Sequence, residues 1–224
     1  MPISQQTKVG IMNRSYSPGE ELVHSVTHGF GALLSVAALI ALIMRALSHV
    51  PSDRIASSVT GFALYGSSLI VLYASSAFYH AATKPDVKRI LAIFDHSAIF
   101  ILIAGSYTGW CLSILYGPLG WTLFGVVWFL AAVGIVIYVI WNDRAGKVTL
   151  SLYLIMGWLI VFAVRPISEK LSFFSLSLLA AGGIAYTVGC VFYVRRRIPW
   201  MHSIWHLFVL AGSVLQFFAL YFSV

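Results

Sequence analysis

The chain predicts an all-α fold. It reads as a polytopic membrane protein whose seven transmembrane helices form one bundle, with the N-terminus cytosolic and the C-terminus extracytoplasmic. Three observations carry this expectation. Of 224 residues, 60% are hydrophobic and 9% charged, whereas soluble domains run to roughly half apolar and a quarter charged. The apolar residues gather in seven stretches, each near the ~20 residues a helix needs to cross the hydrocarbon. Pro51, Pro85, Pro118, Pro166 and Pro199 fall between those stretches, as expected of a residue that breaks helices.

Residues 1–19 form a polar N-terminal segment, and residues 20–224 a single seven-helix domain. The first 26 residues hold no early apolar core, so no cleavable signal is expected. Ser17 suits an N-cap, and Pro18, Glu20 and Glu21 suit a first helical turn. The expected spans are 27–46, 56–80, 90–115, 119–141, 148–165, 173–194 and 201–223. Gly61, Gly66, Gly105, Gly109, Gly182, Gly183 and Gly189 lie within them, where small residues let helices approach closely in lipid. Cys111 and Cys190 are expected as small apolar fillers near opposite membrane faces, not as a disulfide.

Basic residues set the orientation. Lys8, Arg14, Lys84, Lys88, Arg89, Arg144, Lys147, Arg195, Arg196 and Arg197 fall on one side, and only Arg45, Arg54, Arg165 and Lys170 on the other. The richer side is cytosolic by the positive-inside bias. The net charge of +7 therefore reflects short loops rather than a basic face for nucleic acid, and Arg195–Arg197 are first a topology signal and second an anionic-lipid contact. The uncharged joint at Tyr116-Gly117-Pro118 suits the outer side. Trp110, Trp121, Trp141 and Trp200 lie near span ends, where interfacial aromatics concentrate.

On that topology six of the seven histidines reach the cytosolic end, His49 being the exception. His202 and His206 stand at i and i+4, which brings their Cβ atoms to roughly 5–6 Å on one helix face. His80 ends the second span, Asp95 and His96 open the third, and Glu20, Glu21, His24 and His28 surround the start of the first. Ionisable groups inside a membrane are costly and mark functional sites. Three neutral imidazoles satisfy a zinc ion and leave its fourth position open to water. The expected metal ligands are His80, His202 and His206, holding Zn2+. Asp95, the one acid inside a span, would hold the water and accept its proton, and Ser76, one turn before His80, would donate to that water or to a substrate carbonyl. His28, Glu21, His24 and His96 are supporting or alternative ligands. His96 sits about 100° from Asp95 around the helix, so packing suits it better.

These residues resemble the three motifs of the progestin and adipoQ receptor family, and in particular its bacterial branch, hemolysin III. The correspondence rests on Glu21 with His28, on Ser76-x-x-x-His80 followed by Asp95, and on His202-x-x-x-His206. The phrases running from Glu20 to Gly29 and from Phe94 to Phe100 are similar to the bacterial members, and the likeness extends from about residue 16 to the end. It implies seven helices, an inside N-terminus, a bacterial inner membrane location, zinc on His80, His202 and His206, and Asp95 at the water. The core is also similar to alkaline ceramidases, which implies hydrolysis of a lipid amide or ester. The family often has Asn where this chain has His24. The short N-terminal segment matches the bacterial members, so hormone binding is not expected. Membrane lipids are the expected partners, with no nucleic acid and no obligate protein partner. A lipid-sensing or homeostasis protein with structural zinc is the alternative. A hemolysin-like pore fits less well, because the outer halves of the spans are almost wholly apolar. A proton-coupled transporter would want more than one buried carboxylate and a broken helix pair.

Overall fold

The computed structural model describes residues 16–224; the earlier part of the polar segment assigned to residues 1–19, with Lys8 and Arg14, lies outside the described residues. All regular structure among the described residues is helical. The order is α1 (Pro18–His49), α2 (Ile55–Ala81), α3 (Pro85–Ser113), α4 (Pro118–Trp141), α5 (Gly146–Trp158), α6 (Val164–Ser168), α7 (Phe173–Val194) and α8 (Met201–Tyr221). Seven stretches are long and apolar enough to cross a membrane, with Gly146–Ser168 counted as one. Their outward faces carry large apolar side chains such as Leu33, Phe129, Phe162 and Phe173, which suits a lipid surround.

Local chemistry sets the helix starts. Ser17 caps α1 in a reciprocal box: Glu20 N–H donates to Ser17 Oγ at 3.3 Å, and Ser17 N–H donates to Glu20 Oε2 at 2.9 Å. Pro18, Pro85 and Pro118 take first helical positions, where a missing N–H costs nothing. Gly117 links α3 to α4 at φ 135°, a conformation side chains resist. Trp200 precedes α8 at φ 66°. That left-handed conformation costs roughly 1–2 kcal/mol without glycine, and it is held by Glu20 Oε1, which accepts the Trp200 N–H at 2.8 Å. One carboxylate thus caps α1 and ties the start of α8 to it.

Consecutive helices pack side by side from α1 to α4, α7 lies along α8, and α8 closes back on α1. α5 makes only short contacts with α3, α4 and α7. The approach of α3 to α2 is set by small residues: a Cβ on Gly105 would overlap Ser68 Oγ, and one on Gly61 would meet the Thr108 carbonyl at 3.0 Å. At the end of the bundle away from the histidine-bearing starts of α1 and α8, Arg54 Nη2 donates to Ser113 O at 3.0 Å and Lys170 Nζ to Ile114 O at 2.8 Å. Both cations thus meet the negative C-terminal end of α3.

Three sequence expectations need correction. The fifth span is not one helix: Leu159–Ala163 is a 3-10 segment between α5 and α6, and Pro166 lies inside α6. The proline ring opposes the carbonyl of residue 162, one turn back, which falls in that tightened stretch. Trp110 is not interfacial; it is 3% exposed and faces the interior. Gly183 does not seat a neighbouring helix, since a Cβ there would meet nothing within 4 Å. Cys111 and Cys190 are buried free thiols, as expected.

Overpacking the α2–α3 contact should therefore cost stability, whereas filling the open position should not. Gly105→Leu is expected to lower stability by about 1–3 kcal/mol, read as an earlier midpoint in thermal unfolding of the detergent-solubilised protein. Gly183→Ala should leave the midpoint unchanged within error.

Candidate metal centre

α1, α2 and α8 converge so that their histidines meet at one end of the bundle. His24 and His28 come from α1, His80 from the last turn of α2, and His202 and His206 from the first two turns of α8. All five are buried. His24, His80 and His202 each offer a ring nitrogen within 4.8 Å of the others, so three buried imidazoles could hold a metal ion. His206 stands beside them, its ring 4.7 Å from His202 and 5.1 Å from His80. His28 stacks on His206 at 3.6 Å and meets Tyr73 edge-on at 5.0 Å. Six imidazole nitrogens are buried without a hydrogen-bond partner among the described residues: His24 Nδ1, His28 Nδ1 and Nε2, His80 Nε2, His202 Nδ1 and His206 Nδ1. Imidazole nitrogens left bare in this way are the donors a zinc-like cation takes.

Polar partners aim two of these rings. Glu21 Oε2 accepts from His80 Nδ1 at 2.6 Å, leaving the Nε2 lone pair for the cluster. Lys88 Nζ, 2.6 Å from Glu21 Oε1, balances that carboxylate and lies over the Tyr79 ring at 5.1 Å. A carboxylate behind a ligating histidine fixes its tautomer and raises its basicity. Ser203 Oγ lies 2.9 Å from His24 Nε2. Tyr16 stacks on His202 at 5.0 Å and meets His24 edge-on at 4.9 Å. Burial pushes its phenol well above the usual range, so it covers the cluster as a neutral ring.

The cluster opens into a mainly apolar cavity of about 250 Å³. Ser76, Asp95, His28, His202 and His206 lie on its wall at one end, and Tyr107, Trp110, Ile160 and Gln216 further along. Gln216 is ten residues beyond His206 in α8, about 15 Å at 1.5 Å per residue. Tyr186 and Tyr73 both bond Ser213 Oγ, at 2.8 and 2.7 Å, so these three hydroxyls satisfy one another, whereas the neighbouring Tyr65 Oη is buried without a partner among the described residues. Asp95 is half-buried, with Oδ2 3.5 Å from His96 Nδ1. His96 is turned toward α4, stacked on Tyr138 at 4.7 Å and 7°, with Nδ1 donating to Ala92 O at 3.0 Å.

The expected residues are thus gathered at one place: His80, His202 and His206 in the cluster, Ser76 and Asp95 on the adjoining cavity wall, Glu21 behind His80, and His96 in packing. Three contributors were missed. Tyr16, Lys88 and Ser203 are single residues of common type, and nothing in their spacing points to the cluster. His24, an alternative ligand by sequence, offers its ring nitrogen alongside those of His80 and His202. Its signal was present, since Glu20, His24 and His28 repeat every four residues and so share one face of α1.

Known proteins match this chain over most of its length. The family model described as Haemolysin-III related matches residues 16–217. Hemolysin-3 of Bacillus cereus is 46% identical over 205 residues, covering 92% of each chain. The Hemolysin-3 homolog of Bacillus subtilis (strain 168) is 45% identical over 203 residues, covering 91% of this chain and 93% of the relative. The human monocyte to macrophage differentiation factor is 30% identical over 217 residues, covering 93% of this chain and 87% of that one. No solved structure matches the chain. With seven apolar helices and three histidine-bearing helix ends meeting at one cluster, the chain belongs to the haemolysin-III related family, the bacterial branch of the progestin and adipoQ receptors.

Proposed function

We propose that this protein is a zinc-dependent hydrolase of the bacterial inner membrane that cleaves a lipid amide or ester at the cytosolic end of its bundle. The observation that carries the reading is the adjacency of the bare imidazole cluster to an apolar cavity with Asp95 and Ser76 at its polar end. A zinc ion there would act as a Lewis acid on the carbonyl and lower the pKa of water toward neutrality. His80, His202 and His206 are the proposed ligands. The Glu21–Lys88 pair holds His80 in the tautomer that presents Nε2. Asp95 takes the proton of the attacking water and returns it to the leaving nitrogen or oxygen. Ser76 Oγ donates to the carbonyl oxygen as negative charge develops there. The cavity beyond, some 15 Å deep along α8, takes the acyl chain out of water and fixes the carbonyl at the polar end.

The cytosolic placement is supported by Lys88, Arg195, Arg196 and Arg197, which share the histidine end of the bundle, whereas Arg54 and Lys170 sit at the other. Membrane lipid is the partner this surface suits, and the reading calls on no nucleic acid and no protein subunit.

The direct test is consumption of fluorescent long-chain acyl amides and acyl esters by purified, zinc-loaded protein in lipid nanodiscs. Wild type should turn over one of the two classes. Asp95→Asn should keep its metal and lose about 10²–10⁴-fold in rate, the span of a general base. Failure to consume either class with zinc bound would overturn the hydrolase. Glu21→Gln should weaken zinc binding by about 10–100-fold, measured by competition with a chromophoric chelator.

A further inference from the structure

We infer that His24 supplies a fourth imidazole to the ion, so that the resting centre is closed by four nitrogens. The inference rests on the metal reading above and deepens it. Four rings, those of His24, His80, His202 and His206, are mutual neighbours in all six pairings. His24 lies 4.6 Å from His80, 4.9 Å from His202 and 4.8 Å from His206. His202 lies 4.7 Å from His206 and 5.4 Å from His80, and His80 lies 5.1 Å from His206. Six near-equal separations place the ring centroids at the corners of a tetrahedron. The ring nitrogens of His24, His80 and His202 already lie within 4.8 Å of one another, and the adjoining His206 would complete the four-ligand set zinc takes when every position is filled by protein.

His24 is prepared for that role in the way His80 is. Its Nε2–H can donate to Ser203 Oγ at 2.9 Å, which leaves the lone pair on Nδ1. That Nδ1 is buried with no partner among the described residues, and the residue is 0% exposed. The three-imidazole set drawn from the motifs leaves this nitrogen unaccounted for, whereas the four-imidazole set uses it. His28 does not compete for the same place: it stacks flat on His206 and turns to Tyr73. Tyr16 lies against both His24 and His202, so water is also displaced from that side. With all four positions filled, water or substrate reaches the ion only when one imidazole gives up its place.

The test uses full-length protein in detergent, stripped with a chelator and reloaded with Co2+ for visible spectra or Zn2+ for X-ray absorption. Wild type should show four imidazoles on the metal, and a cobalt spectrum that azide leaves unchanged. His24→Asn should show three, with an azide-induced shift of the cobalt bands. An azide response in wild type overturns the inference, and this arm needs no variant to fold. Equal imidazole counts in wild type and His24→Asn also overturn it. Failure of stripped wild type to take up either metal would instead remove the metal centre itself.

Discussion

Bare imidazole nitrogens buried together inside a membrane bundle are the constraint on which the rest of this structure turns. Each buried polar atom left without a partner costs about 1–3 kcal/mol, and six such nitrogens sit within one cluster. Among the described residues no side chain supplies the hydrogen bonds they lack. A single cation satisfies several at once. The surrounding features serve that same point. Glu20 fixes the starts of α1 and α8 against each other, which brings His24 toward His202 and His206. Glu21, neutralised by Lys88, orients His80 from behind. Glu20 and Glu21 are thus committed to geometry and tautomer, and Asp95 on the cavity wall is the carboxylate that the proposed chemistry calls on.

The cavity gives the cluster its functional context. Its wall is mainly apolar and it runs along α3, α5, α7 and α8 from the histidines toward Trp110 and Gln216. Such a wall suits an acyl chain and does not suit a conduction path, which wants polar groups along its length. The loosely packed fifth span, with its 3-10 interruption, borders the same space. Pro166 thus interrupts the span that walls the cavity on one side, whereas α2 and α3, which carry Ser76 and Asp95, pack closely at Gly61 and Gly105.

Most of the architecture was legible in the sequence because bilayer thickness and proline chemistry act locally. The seven apolar stretches, the Ser17 cap and the convergence of His80, His202 and His206 all follow from segment length, capping chemistry and alternation across the membrane. What depends on helix rotation was not legible. Trp110 looks interfacial by its position near a span end, yet it turns inward once Gly105 has seated α3 against Ser68. His24 was displaced by the motif trio, although its four-residue spacing from Glu20 and His28 already placed it on the inner face of α1. Pro166 sat at an expected span boundary, so the 3-10 break one turn earlier had no separate signal. Lys88 and Tyr16 reach the site only through tertiary approach.

The central claim is that these helices meet in order to hold one metal ion. Elemental analysis of the protein purified without added metal, beside His80→Ala and His202→Ala, tests it most directly. One zinc per chain in wild type and a large loss in both variants is the result expected. A wild-type protein that folds as a stable seven-helix bundle with no metal, or variants that retain the wild-type content, would contradict it.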